Sequence, residues 1–166
     1  MSEREEIYNK KVGKEDRLDV NSMLTLSRID IKKVKDIQVE IEEYAKKEVP
    51  ELIARGISLG SLAIKMELTD AILSLRKVET ELKFLREKRA SVVKNASEEK
   101  SEAAKGRQAE ADEVYQAHDF NYQAAKIVRE YLELKRVDLE QAHYAYKAEQ
   151  ANKREDSGHK AGDPGF

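Results

Sequence analysis

The 166-residue chain is 39% charged and only 6% aromatic, with two prolines, seven glycines and no cysteine, which leaves little material for a thick globular core and suits elongated helices. Its formal net charge of -2 excludes a uniformly basic nucleic-acid binder, and the missing cysteines exclude disulfide and thiolate chemistry. The polar start MSEREEIYNKK has no signal-peptide character and no 18-residue apolar run follows, so the expected location is the cytoplasm.

Residues 1–28 read as a charged N-terminal arm. Its small apolar cluster (Val20, Met23, Leu24, Leu26, with Ile29 just beyond) has no clear period. Residues 29–60 read as short helices. Asp30 is placed to cap the first of them, in which Val34, Ile37, Ile41 and Tyr44 recur at steps of three and four, and which is expected to reach about Glu48. Pro50 opens a short turn of helix, Gly56 is expected to end it in a left-handed conformation, and Ser58 and Ser61 then offer N-caps.

Residues 61–153 read as a long antiparallel helical hairpin of coiled-coil type, giving an all-α fold. Ile64, Leu68, Ala71, Leu75, Val78, Leu82, Leu85, Arg89, Val92 and Ala96 alternate steps of four and three, the seam of a heptad repeat. The polar stretch 95–108 is expected to be the hairpin connection rather than an exposed extension of the helix. In the second long helix Phe120, Ala124, Ile127, Tyr131 and Leu134 share one face, and Leu132, Leu139 and Tyr146 an adjacent one. So wide an apolar sector exceeds what one partner helix covers, so a homo-oligomer is expected. Residues 154–166 read as a disordered tail.

No Ser-His-Asp order, Gly-rich phosphate loop or Cys-His grouping can be assembled, so no catalytic residue, metal or other cofactor is expected. Glu140 and His143 have the spacing of a di-iron Glu-x-x-His pair, but one copy is half a site, and neither His118 nor His159 has a glutamate three residues before it. A surface or interface histidine is the better reading. Lys and Arg outnumber Asp and Glu by three over 61–107, and the acids lead by four over 108–166. The candidate nucleic-acid-binding set lies in the basic part: Arg76, Lys77, Lys83, Arg86, Lys88, Arg89 and Lys94. The simpler reading of those cations is a solvated helix face that pairs with acids such as Glu130, Glu133 and Glu140. Five of the seven tyrosines fall in the second long helix, where interface packing explains them at least as well as base stacking.

The segment 62–154, with its long helix, small polar connection and second helix ending YLELKRVDLEQAHYAYKAEQANKR, resembles the small helical recombination-mediator proteins of tailed phages in pattern and length. That resemblance implies an oligomer that binds single-stranded DNA and works beside a recombinase and a single-strand-binding protein, in the host cytoplasm. It implies no particular site residue. The closing Gly-Asp-Pro-Gly-Phe resembles the tips of bacterial single-strand-binding proteins, but lacks their acidic run and carries an intervening glycine. The alternative is a structural scaffold, adaptor or assembly protein whose helices bind only protein.

Overall fold

A computed structural model describes residues 18–47 and 49–160. The expected arm before Leu18 and the Gly-Asp-Pro-Gly-Phe end of the tail lie outside them. Among the described residues the fold is all-helical, with five helices and no strand: α1 (Val20–Ser27), α2 (Ile31–Ala45), α3 (Glu51–Ala96), α4 (Glu102–Ala111) and α5 (Glu113–Lys160).

Each short helix begins where the sequence supplies an acceptor. The Asp19 carboxylate accepts from the Ser22 N–H at 2.8 Å, Asp30 from Lys32 at 2.9 Å, and the Ser101 hydroxyl from Ala104 at 3.1 Å. α1 is a helix where the sequence showed no period, and it buries Met23 and Ser27 one turn apart. It ends at Arg28, which adopts the left-handed conformation (φ 58°) uncommon outside glycine.

α3 departs from expectation at its start. Gly56 does not end a short helix; α3 runs unbroken for 46 residues through both Gly56 and Gly60, and no glycine among the described residues has positive φ. Ser61 caps nothing, because its hydroxyl donates to the Ile57 carbonyl at 2.9 Å. A glycine inside a helix costs about 1 kcal/mol relative to alanine. Buried Ile57 and Ile64 and the strong helix formers that follow offset that cost. Gly60 also has a packing reason, since a Cβ there would stand 3.2 Å from Ile37 Cδ1 of α2. The 95–108 connection shrinks to residues 97–101, its first two residues ending α3 and its last seven lying in α4. α5 continues to Lys160, so the first residues of the expected disordered tail are helical.

The chain divides into two compact units, and α3 and α5 contribute to both. In the unit that includes Ile72–Glu130, α3 buries Ile72, Leu75, Val78 and Leu82, and α5 buries Ala117, His118, Asn121, Ala124, Ala125 and Val128. Glu79, Arg86 and Arg89 of α3 pair with Arg129, Asp119 and Asp112. One set of numbers rises as the other falls, so the two segments run antiparallel there.

The other unit comprises Ile29–Ala71 and Tyr131–Phe166. Its core holds Val34 and Ile41 of α2, Ile57, Ile64 and Leu68 of α3, and Leu132, Leu139 and Tyr146 of α5. Buried Gln150 organises the corner between α2 and α3. Its amide nitrogen donates to the carbonyls of Tyr44 (3.1 Å) and Lys47 (2.8 Å), and its amide oxygen accepts from the Val49 N–H at 3.3 Å. Lys153 Nζ donates to the Ala45 carbonyl at 2.7 Å. The last carbonyls of α2, which have no partner within the helix, are thus satisfied from α5.

Candidate functional site

Six positions of the expected α3 seam are buried (Ile64, Leu68, Ala71, Leu75, Val78 and Leu82). Beyond Leu82 the seam loses its cover: Leu85 and Arg89 are half-buried, and Val92 is 51% exposed. Of the two α5 faces read from the sequence, Leu132, Leu139 and Tyr146 are buried, whereas on the other Ala124 is buried, Tyr131 half-buried, and Phe120, Ile127 and Leu134 exposed. Side-chain volume gives the reason. In the unit that includes Ile72–Glu130, α3 supplies large leucines, and the buried α5 positions are mostly small, with three alanines and Asn121 among them.

The basic stretch is dispersed by its own pairing. Arg89 grips Asp112 with two hydrogen bonds of 2.8 Å, and Arg86 Nη1 stands 2.7 Å from Asp119 Oδ1 with its guanidinium 4.7 Å over the Tyr122 ring. Hydrogen bonding to those carboxylates raises the pKa of both arginines. Lys83 lies 4.0 Å from Glu87 on its own helix, and Arg76 is also engaged. Lys77 and Lys88 are exposed and Lys94 is half-buried. Lys77, Phe84 and Lys88 share one helix face, with Phe84 63% exposed and Glu81 lying among them. The acids that meet the arginines are Asp112 and Asp119, which composition alone did not single out.

Asp112 is the most heavily used of these side chains. Besides binding Arg89 it caps α5, its carboxylate accepting from the Tyr115 N–H at 2.9 Å, and its own N–H closes α4 onto the Ala109 carbonyl. The Arg89 hydrogen bonds, aided by the Tyr115 N–H and opposed by partial burial, hold its pKa down at about 2.

The Glu140 carboxylate is taken by Lys65, which lowers its pKa, and no group of metal-binding side chains occurs among the described residues. His143 lines a cleft of about 170 Å³ with Ser61, Leu62, Lys65, Leu139 and Lys147. Burial first, then the nearby charges of Lys147 and Lys65, lowers its pKa. The Ser61 hydroxyl is committed to a backbone carbonyl, so it is not an activated nucleophile, and the cleft is smaller than the ~300–1,000 Å³ of typical ligand pockets. No described helix is long and apolar enough to cross a membrane. Comparison with family models, curated proteins and solved structures finds no match to the chain.

Proposed function

We propose that this chain is a non-enzymatic helical interaction protein, a scaffold, adaptor or assembly component, that works as a homo-oligomer built on a long antiparallel hairpin. The observation that carries this reading is the set of large apolar side chains each unit leaves on its surface at helical spacing. They include Leu52, Leu59 and Met66 on α3 in one unit (82%, 59% and 62% exposed) and Phe120 and Ile127, seven residues apart on α5, in the other (42% and 54%). Exposed apolar residues scattered singly are ordinary, but a repeat along one face of a helix is the usual form of a helix-docking surface. Sedimentation velocity at micromolar concentration tests it: the chain is expected to run as a dimer or larger, and a clean monomer mass would overturn the reading.

A second reading, a single-stranded-DNA-binding accessory of recombination-mediator type acting beside a recombinase and a single-strand-binding protein, draws support from the exposed Lys77, Phe84 and Lys88 face. It ranks second because Arg86 and Arg89, the centre of the basic stretch, are already bound to carboxylates.

A further inference from the structure

Over two turns of α5, Leu139, His143, Tyr144 and Lys147 line a cleft of about 170 Å³, and α3 sets Leu62 and Lys65 against them within the same unit. That volume is close to the ~150 Å³ that holds a benzene ring, so the cleft has room for one ring and not for a nucleotide. Some of its polar groups are already spent. Glu140 holds Lys65, and the Ser61 hydroxyl donates to the Ile57 carbonyl. Two others are not. Lys147 is exposed and makes neither an ion pair nor a hydrogen bond with any described residue. His143, one turn before it, makes no hydrogen bond to a described residue either, and its Nδ1 is buried. A half-buried ring that forgoes its hydrogen bonds is uncommon, because the loss is not repaid within the fold.

Two lysines against one glutamate leave the lining with an excess of one positive charge while the imidazole is neutral. A cation is therefore repelled, and a phosphate dianion meets only one uncompensated charge. A monoanion with a flat apolar body matches what remains: one free ammonium, one free imidazole, and the apolar wall of Leu62, Leu139 and the Tyr144 ring. We infer that this cleft binds a small aromatic carboxylate, its ring against Leu62, Leu139 and Tyr144 and its carboxylate accepting from Lys147 Nζ and the His143 imidazole. The site stands independently of the assembly reading above. It also carries a linkage. Burial, then Lys147 and Lys65, keep the His143 pKa low, and the other titratable groups at the cleft are Glu140, spent on Lys65, and the Tyr144 hydroxyl. A bound carboxylate raises that pKa, so binding tightens as pH falls through it.

The test uses the full chain with isotope-labelled histidine rings and sodium benzoate as the probe, followed by NMR at pH 7 and constant ionic strength. His143→Gln assigns the His143 signal by its disappearance. That signal is expected to shift saturably, with a Kd on the order of millimolar for so small a ligand, while the signal of His118 in the other unit stays in place. Saturating benzoate is expected to raise the His143 pKa. Lys147→Gln, a change at an exposed position, is expected to keep helix content and to weaken benzoate binding roughly tenfold. Benzamide, which keeps the ring without the charge, and acetate, which keeps the charge without the ring, are each expected to bind more weakly than benzoate. A His143 signal that does not saturate, or that moves no more than that of His118, overturns the proposal. So does benzamide or acetate binding as tightly as benzoate, a His143 pKa that benzoate leaves unmoved, or undiminished benzoate binding in Lys147→Gln.

Discussion

His118 is buried on α5, and its folded pKa is lowered from the usual 6.5, chiefly by burial and secondarily by the nearby charge of Arg89, against a weaker pull from Asp112. A histidine with a depressed folded pKa binds more protons when the chain unfolds. Its favourable contribution is therefore complete above the unfolded value of 6.5 and is lost as pH falls through that value towards the folded one. His143, lowered mainly by burial, acts in the same direction. Asp112 behaves similarly at lower pH: what it contributes is present above the ordinary carboxylate value of 3.8 and is lost only as pH drops towards about 2. The melting temperature of the parent is thus expected to fall between pH 7.5 and pH 5.5, in a range where Asp112 stays ionised. His118→Gln, which keeps a polar group but cannot titrate, is expected to fall by clearly less. Equal drops in the two proteins would mean that His118 is as accessible to protons in the folded chain as in the unfolded one.

For the elements, the steep fall in burial along α3 makes a graded prediction. Leu75 and Leu82 are each 1% exposed, so truncation to alanine is expected to cost about 2–5 kcal/mol apiece in denaturant unfolding. Val92 belongs to the same seam, in heptad phase with Val78 and Leu85, but is 51% exposed, and Val92→Ala is expected to stay within about 0.5 kcal/mol of the parent. A similar cost at all three positions would place Val92 under a cover that the isolated chain lacks. The same comparison bears on what the sequence reveals. Asp30 and the 64–82 seam are legible because a cap residue and an apolar period are local signals. Gly56 misleads because a glycine after a short apolar run looks the same whether the helix ends there or passes through. On α5 the period shows Leu132, Leu139 and Tyr146, which are buried, but size favours the exposed Phe120 and Ile127, and the buried alanines and the polar Asn121 and Gln150 give no apolar signal. Gln150 belongs inside because it satisfies backbone groups about 100 positions earlier, and no local pattern encodes that. Asp112 carries a usable signal, an aspartate immediately before a helical run, but a connection placed at 95–108 puts it inside the second helix.

At the level of the whole chain, the small net charge hides a basic excess over 61–107 and an acidic excess over 108–166, and the pairs that form show how part of it is used. Arg86 and Arg89 meet Asp119 and Asp112 in one unit and Lys65 meets Glu140 in the other, while Glu79 and Arg129 pair in the reverse sense. Exposed pairs contribute only about 0–1 kcal/mol each, but a guanidinium held by a carboxylate is a poorer partner for phosphate. Nucleic-acid binding would therefore fall mainly to Lys77 and Lys88 around Phe84, with Glu81 opposing them. So small a footprint implies a shallow salt dependence per subunit, since the slope of the logarithm of affinity against the logarithm of salt concentration scales with the number of phosphates neutralised. The parent chain is accordingly expected not to retard a labelled single-stranded oligonucleotide even at low salt, where backbone electrostatics are strongest. Lys77→Glu with Lys88→Glu is expected to leave helix content and assembly unchanged, because both positions lie off the buried seam and glutamate is a good helix former. Retardation by the parent that steepens as salt is lowered and disappears in the double variant would reverse the ranking, making the Lys77, Phe84 and Lys88 face the working surface and the single-strand-binding accessory the better reading.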